Sequence, residues 1–441
     1  MTTVADPSSG QFQPIASKTT EKTHRWFYLV ISTIVMVMIS PYQYAFTIFE
    51  GPVAKANSWP LSSVAMTFTI FIVISSLFTI PSGLWSDRWQ PRWFTTVAGF
   101  AVGIGWVGAA FAQSAVELDI TYGFGALGCG YIYANTVTNA VKWFPEPRLK
   151  GRTVGIANMG FAIGAAFFIP PLQNVINSGV QGYRTAFLVT GIIMLVVIVG
   201  LAQFLRFPKP GWRPAGWDPT KNAGAKKART TSKDFALKEV FKSWQYWWVI
   251  TCQLCILIPG LLLTAQVTML ARSNIALGGA AIGVLAATLS PIPNGIMRWV
   301  GGQLSDYFGR EQVMVVMFLI SAVATWALTA VTIGWLFIVV VLVAAGTWST
   351  LFTLFPALVS DFYGSKHAGI LYACVYGPAK AIAGVFAGVL GALLFAISGS
   401  WNFPFYIAAA LAALSGIAIL VLHLLPSPSE SYTRHAALSN E

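Results

Sequence analysis

Long apolar runs separated by short polar segments dominate the chain. Each run is long enough for a helix to cross about 30 Å of hydrocarbon. The pattern predicts twelve such helices, at 26–47, 61–85, 93–113, 117–143, 153–176, 185–206, 244–270, 279–303, 312–333, 335–360, 367–396 and 401–425. The predicted fold class is therefore all-α integral membrane, with twelve transmembrane helices in two six-helix bundles.

A polar segment at 207–243 divides the predicted helices into two groups of six. Most of the 27 Lys and Arg fall in segments on the same side as the N-terminus, which the positive-inside rule makes cytoplasmic. We therefore expect a multi-pass protein of the plasma (inner) membrane with both termini in the cytoplasm. The predicted organisation is a tail at 1–25, a bundle at 26–206, a linker at 207–243, a bundle at 244–425 and a tail at 426–441.

Composition excludes several functions. Only 10% of the residues are charged, against about 25% in soluble domains. The net charge of +12 resides mainly in the cytoplasmic segments, so we expect the lipid bilayer and no nucleic acid as partner. The sequence lacks the G-x-x-x-x-G-K-S/T motif of nucleotide binding, and Cys252 and Cys255 lie in an apolar helix that suits packing. We expect no enzyme, cofactor, metal or nucleotide.

One short motif occurs twice, after the second and after the eighth predicted helix, with its aspartates 219 positions apart. Glycine lets helix ends approach closely, and we expect Asp and Arg to pair across the two bundles as a cytoplasmic gate. A tight turn with solvated charges is the alternative, which the duplication disfavours. The predicted gate residues are Gly83, Asp87, Arg88, Arg92, Gly302, Asp306, Gly309 and Arg310.

Two basic residues, Arg298 and Lys380, lie inside predicted spanning helices that contain no Asp or Glu. A charge at the centre of such a helix costs roughly 2.5–3.5 kcal/mol. The simplest partner is a small organic anion that binds and leaves, although side chains that extend to the interface are an alternative. Because an empty site would hold two unpaired cations, we expect exchange of anions rather than uniport.

Acidic residues and histidines lie in tails, loops or near helix ends. Proton-coupled carriers usually contain a buried titratable group within the membrane. We therefore expect proton symport less than exchange, unless the substrate or Lys380 carries the proton.

The duplicated G-x-x-x-D-R/K-x-G-x-R loop in a twelve-helix chain resembles the major facilitator superfamily, although Gln90 replaces a glycine in the first copy. Four further segments resemble the oxalate/formate antiporter family. They are the run from His24 to Val30, the pair Gln43-Tyr44, the run from Asn139 to Pro145, and Thr347-Trp348 with Leu354-Phe355-Pro356.

This resemblance implies two bundles that move about a central site, where Arg298 and Lys380 bind a carboxylate. It also implies that Gln43, Tyr44, Tyr133 and Trp348 line that site, whereas each aromatic taken alone favours helix packing. Oxalate-transporting members have Gln, Tyr and Trp where Ala65, Phe352 and Gly377 stand, which predicts a roomier and less polar site. Proton-linked or facilitative transport of lactate-like or pyruvate-like monocarboxylates is therefore an alternative. A non-transporting membrane sensor is another.

Overall fold

The computed structural model describes residues 25–209, 212–214, 231, 234–275 and 278–428. The predicted tail at 1–25, except Arg25, and much of the predicted linker and C-terminal tail lie outside these residues. Within the described part the chain is helical and contains no β-strand.

The first half of the chain contains eight helices: α1 (Arg25–Tyr44), α2 (Phe46–Asn57), α3 (Leu61–Leu77), α4 (Thr79–Arg88), α5 (Pro91–Phe111), α6 (Ala115–Trp143), α7 (Pro147–Ile176) and α8 (Gly182–Ala202). A short helix, α9 (Leu237–Lys242), precedes the second half. The second half contains α10 (Trp244–Asn274), α11 (Gly279–Leu289), α12 (Pro291–Phe308), α13 (Arg310–Ala327), α14 (Gly334–Ser349), α15 (Leu351–Tyr363), α16 (Ala368–Val385), α17 (Gly391–Ser398) and α18 (Asn402–Leu424).

Eleven helical stretches in the described residues are long and apolar enough to cross a membrane, and they coincide with eleven predicted spans. The remaining prediction, 117–143, corresponds to α6, which has 29 residues and is about 43 Å long at the rise of an α-helix. Its glycines, asparagines and charged ends lower its hydropathy. Most of its residues are nevertheless buried against neighbouring helices, so its polar groups face protein rather than lipid.

Two of the spanning segments are irregular close to the predicted basic residues. Ser290 separates α11 from α12, and Pro291 occupies the first position of α12, where its missing N–H is tolerated. A π-helical turn, Phe386–Leu390, separates α16 from α17. Such turns interrupt regular hydrogen bonding and often lie near functional sites.

The two halves meet along two helix interfaces, where α7 packs against α12, and α3 with α4 packs against α16. Glycine permits both contacts. A Cβ atom on Gly155 would collide with the backbone of Arg298, and one on Gly377 would lie 2.6 Å from the carbonyl oxygen of Ser76. The close approach brings α12 and α16 of the second half directly against the first half.

The start of α1 and the end of α8 lie at the end of the molecule that carries both motif copies, which we call the motif end. Arg25 donates a hydrogen bond to Glu146 in the loop after α6, at 2.5 Å. The backbone N–H of Phe207 donates to Gln90, in the first motif copy, at 2.9 Å. The polar connections between these helices therefore gather on one side.

Candidate functional site

Arg298 in α12 and Lys380 in α16 face the first half of the chain and are buried, with exposed fractions of 0% and 4%. Neither side chain extends to the protein surface. Among the residues that the structure describes, no carboxylate forms an ion pair with either cation. Their charges are therefore buried without a neutralising partner.

The Arg298 guanidinium is held by neutral oxygen atoms from both halves. Its Nε and Nη2 donate to Oδ1 of Asn294, one helical turn earlier, at 3.2 and 2.9 Å. Nη1 donates to the backbone carbonyl of Asn158 at 3.1 Å, and Nη2 donates to the Tyr44 hydroxyl at 3.2 Å. The Phe352 ring lies 4.0 Å from the guanidinium carbon. These contacts orient the group and leave its full charge in place.

Lys380 has one direct hydrogen bond, from Nζ to Oε1 of Gln43 in the first half, at 2.8 Å. Its ammonium also lies 5.4 Å from the centre of the Tyr376 ring and 5.9 Å from that of Phe161. An ammonium group has three N–H donors, so one neutral acceptor leaves it poorly satisfied. Lys380 is therefore the less compensated of the two cations.

The two cations are close enough to repel each other. The carbon at the centre of the Arg298 guanidinium lies 5.9 Å from the centre of the Phe161 ring, as does Lys380 Nζ. The charges are thus no more than about 12 Å apart, and at an effective dielectric constant of ~20 they repel by at least roughly 1.4 kcal/mol. An anion between them replaces this repulsion with two attractions.

The other predicted site residues lie around these cations. Tyr44 and Gln43 bond them directly, while Tyr133 stacks on Tyr376 with ring centres 4.7 Å apart. The Trp348 ring covers Gly260 of α10 so closely that a Cβ atom on Gly260 would collide with the ring. The Trp348 and Phe352 rings meet edge-on, with their centres 5.2 Å apart. The structure therefore brings all six predicted residues into one region.

A small cavity adjoins this region. Cys129, Tyr133, Phe161, Tyr376 and Lys380 are among its lining residues. The centre is thus closely packed in this arrangement of the two halves.

The predicted site omitted several residues that contact the cations. Asn294 precedes Arg298 by four residues and Tyr376 precedes Lys380 by four, which is the spacing of neighbours on one helix face. That spacing was available in the sequence. Asn158 and Phe161 belong to another helix, α7, so their contacts depend on the packing of the two halves.

At the motif end, the first motif copy joins α4 to α16. The Asp87 carboxylate accepts hydrogen bonds from the backbone N–H groups of Gly369 and Ile370, at 3.1 and 2.9 Å. These N–H groups begin α16, where a carboxylate also interacts favourably with the helix dipole. A Cβ atom on Gly83 would lie 2.5 Å from the Gly369 carbonyl oxygen, and Lys142 pairs with Asp87 at 3.6 Å.

The second motif copy repeats this arrangement with the halves exchanged. Asp306 accepts hydrogen bonds from the backbone N–H groups of Gly151 and Arg152, at 2.9 and 2.8 Å, near the start of α7. A Cβ atom on Gly302 would collide with the backbone of Gly151. The pairs Gly83 with Gly369 and Gly302 with Gly151 are therefore related by the internal repeat.

The expected pairing of Asp with Arg across the halves is wrong. Arg310 bonds Asp306 within its own half and also Asp361, at 3.0 Å from Nε to Oδ2. Across the halves, in the described part of the chain, Arg310 donates to the backbone carbonyl of Pro147, at 2.9 Å. Lys150 and Asp361 form an ion pair between the halves, at 2.8 Å. Carboxylates that bond helix N-termini, together with this ion pair, therefore join the halves at the motif end.

Three predicted gate residues differ from the rest. Arg88 is exposed, and the exposed Arg92 donates to Gln203 within its own half at 2.9 Å. Gly309 ends α12 with φ of 102°, a conformation that favours glycine, and Gln90 replaces it in the first copy. Gln90 adopts φ of −67°, so the first turn has a different backbone path.

The comparisons with known proteins agree with this architecture. The family model described as Major Facilitator Superfamily matches residues 25–275 and 265–439. The structure of FucP in the outward conformation, a transporter of that superfamily, resembles this chain with a TM-score of 0.68 at 14% identity, over 90% of this chain and 98% of FucP.

Curated relatives narrow the family further. The chain is 33% identical to the oxalate:formate antiporter of Oxalobacter formigenes over 390 residues, or 88% of each protein. It is 26% identical to the uncharacterized MFS-type transporter YhjX of Escherichia coli (strain K12) over 360 residues, covering 79% of this chain and 84% of the relative. The chain therefore belongs to the major facilitator superfamily and, within it, to the oxalate/formate antiporter family. These relatives are transporters rather than enzymes, which confirms the corresponding prediction.

Proposed function

We propose that this protein exchanges small organic carboxylates across the plasma (inner) membrane by alternating access. The observation that carries the proposal is the pair of buried cations, Arg298 and Lys380. Among the described residues, the groups that the opposite half supplies to them are all neutral. The resemblance to an oxalate:formate antiporter supports the same substrate class. The positive-inside rule makes the motif end, and with it both termini, cytoplasmic.

The contacts of the cations suggest how an anion is bound and released. The guanidinium of Arg298 matches a carboxylate with two parallel N–H donors, while Lys380 supplies a point charge. Tyr44 and Asn158 contact Arg298 from the first half, and Gln43 contacts Lys380. These neutral oxygens occupy positions that carboxylate oxygens take when substrate binds. Separation of the halves removes the acceptors that the first half supplies to both cations, while Asn294 stays with Arg298.

The same contacts favour exchange over uniport. Without an anion, the two halves close around mutually repelling cations, one of which has a single acceptor. With an anion bound, both cations gain an opposite charge, so the closed state is more accessible. The loaded carrier therefore reorients faster than the empty one.

The small residue Gly377 faces Ser76 and Thr79 of the first half and lets α16 approach α3 and α4. Thr79 also lines the central cavity. Phe352 places a ring without a hydroxyl beneath the Arg298 guanidinium. Both residues accord with the expected roomier and less polar site, which stays part of the proposal.

The test is counterflow in proteoliposomes that contain the purified protein. Uptake of labelled oxalate, formate, lactate, pyruvate and malonate is measured into vesicles loaded with unlabelled anion and into empty vesicles. We expect at least one of these carboxylates to enter loaded vesicles faster, and we expect Arg298→Gln and Lys380→Gln to abolish that uptake. Equal rates into loaded and empty vesicles would contradict exchange, while full activity in both variants would contradict the site.

One observation favours a proton-linked monocarboxylate carrier as a second candidate. Glu50 lies in α2, which continues α1 past the central residues Gln43 and Tyr44, and its side chain is partly buried. A partly buried carboxyl group in a membrane-crossing helix is the kind of group that carries protons in proton-linked carriers. Uptake driven by a pH gradient and lost in Glu50→Gln would favour this candidate. Indifference to the gradient would exclude it.

A further inference from the structure

Four buried side chains meet where α6, α10 and α16 pack together, and their polar atoms have no well-formed hydrogen bond among the described residues. They are the amide of Gln253 and the hydroxyls of Tyr133, Tyr372 and Tyr376, which face one another without ideal hydrogen-bond geometry. Gln253 has an exposed fraction of 0%, and none of the three tyrosines exceeds 4%. An unpaired buried polar group costs about 1–3 kcal/mol, so four such groups in one place require an explanation.

The groups converge from three helices. Tyr372, Tyr376 and Lys380 follow one another at intervals of four residues along one face of α16. Tyr133 of α6 stacks on Tyr376 from the opposite half, and the rings of Tyr372 and Tyr376 are 5.5 Å apart. The Tyr372 hydroxyl lies near both Tyr133 and the Gln253 amide of α10.

This cluster also adjoins the cation that we assign to the carboxylate. The Phe352 ring, 4.0 Å from the Arg298 guanidinium carbon, has its centre 6.1 Å from that of Tyr376. The Phe161 ring, 5.9 Å from the same carbon, has its centre 5.8 Å from that of Tyr133. An acid whose carboxylate bonds Arg298 therefore extends its neighbouring atoms towards this group of tyrosines.

Some polar groups with a purely structural role in this protein are bonded differently. The hydroxyl of Tyr246 donates to the backbone carbonyl of Leu371 at 2.9 Å, and that of Tyr42 donates to Val102 at 2.6 Å. Single unpaired atoms also occur at Tyr131, Asn135 and Asn139. What distinguishes the cluster is therefore its place next to the two central cations.

The chemistry of the cluster selects a class of ligand. Phenol hydroxyls and a carboxamide are uncharged and both donate and accept hydrogen bonds. A substrate hydroxyl needs a donor and an acceptor, and a keto oxygen needs donors. We propose that Gln253, Tyr133, Tyr372 and Tyr376 form an oxygen subsite for a hydroxyl or keto group next to the bound carboxylate, which makes 2-hydroxy and 2-oxo carboxylates the preferred cargo. This inference rests on the proposed carboxylate exchange.

The experiment compares acids that differ by one oxygen. Initial uptake of lactate against propionate, and of glycolate against acetate, is measured in proteoliposomes for the wild type, Gln253→Leu and Tyr372→Phe. A site built to bond a substrate oxygen rejects the analogue without it, so we expect a wild-type preference of at least about tenfold in kcat/KM. Both variants should reduce that preference severalfold, and the control Tyr246→Phe should leave it unchanged.

Two results would overturn the inference. A wild-type preference near one, or a preference that survives in both variants, would remove the oxygen subsite while carboxylate exchange stands. If no acid is taken up and Arg298→Gln is indistinguishable from the wild type, the result would instead contradict both the proposed function and the subsite.

Discussion

The protein contains two regions of buried charge, and they are built in opposite ways. At the motif end, Lys150, Asp306, Arg310 and Asp361 form a cluster in which each charge contacts an opposite one. We call these four residues the motif-end cluster. At the centre, Arg298 and Lys380 contact only neutral oxygens and aromatic rings. Burial is similar in the two regions, but charge compensation is not.

This difference separates two uses of a buried charge. Paired charges with additional hydrogen bonds favour one arrangement of the chain, and removal of one partner is costly. Unpaired cations make the empty centre unfavourable and leave it ready for an anion. The motif end therefore favours closure whether or not anion is present, whereas the centre favours closure only with anion.

The two motif copies carry the same contrast on a smaller scale. Asp87 and Asp306 bond helix N-termini in the same way, but only the second copy belongs to the motif-end cluster. At the corresponding positions of the first half, Trp143 replaces Asp361 and Pro91 replaces Arg310. The second copy is thus expected to contribute more to closure.

The largest effect is expected from Asp361→Asn. This change leaves Lys150 and Arg310 without their shared carboxylate and should disfavour the closed motif end by about 3–5 kcal/mol. Hydrogen exchange of the Gly151 and Arg152 amides, measured by mass spectrometry, should accelerate. Asp306→Asn and Asp87→Asn occupy equivalent positions of the two copies and compare them directly, and an equal or larger acceleration at Gly369 in Asp87→Asn would reverse the comparison.

A smaller effect is expected from Gln43→Leu at the centre. The change removes the direct acceptor of Lys380 and should disfavour the closed empty state by about 1.5–3 kcal/mol, the contribution of a hydrogen bond to a charged group. Efflux into anion-free buffer should slow relative to exchange, by roughly tenfold or more. Unchanged uncoupled efflux would mean that Gln43 does not compensate Lys380 in the empty carrier.

Gly302→Ala should disfavour closure of the motif end by about 1–3 kcal/mol, because the added methyl group meets the Gly151 backbone. The measurement is the melting temperature together with amide exchange near the start of α7. Gly200→Ala is the control, since a Cβ atom there has no neighbour within 4 Å and alanine favours the helix. A Gly302→Ala protein as stable and as protected as the control would contradict the close contact.

The sequence was sufficient for the periodic and repeated features. Apolar length predicted the spanning helices, and the repeat identified Gly83, Gly302 and their aspartates. The same repeat contained the partner glycines, since Gly151 and Gly369 are 218 positions apart. Helical spacing also placed Asn294 beside Arg298.

Contacts between the halves were not predictable in the same way. The Lys150–Asp361 pair joins residues 211 positions apart, and neither lies in the duplicated loop. The oxygen subsite draws on α6, α10 and α16, whose side chains meet only after the halves pack. Depth in the membrane pointed to Arg298 and Lys380 and the family resemblance pointed to Gln43 and Tyr44, whereas the contact of Arg298 with Asn158 follows from tertiary structure.

The central claim is that Arg298 and Lys380 together bind a carboxylate. Isothermal titration of purified protein with oxalate and with lactate at low ionic strength tests it directly, beside the matched variants Arg272→Gln and Lys55→Gln, which change exposed cations. We expect binding in the wild type and both controls. Arg298→Gln and Lys380→Gln should each weaken it by at least roughly 30-fold, the effect of about 2 kcal/mol. Wild-type affinity in either central variant would contradict the account.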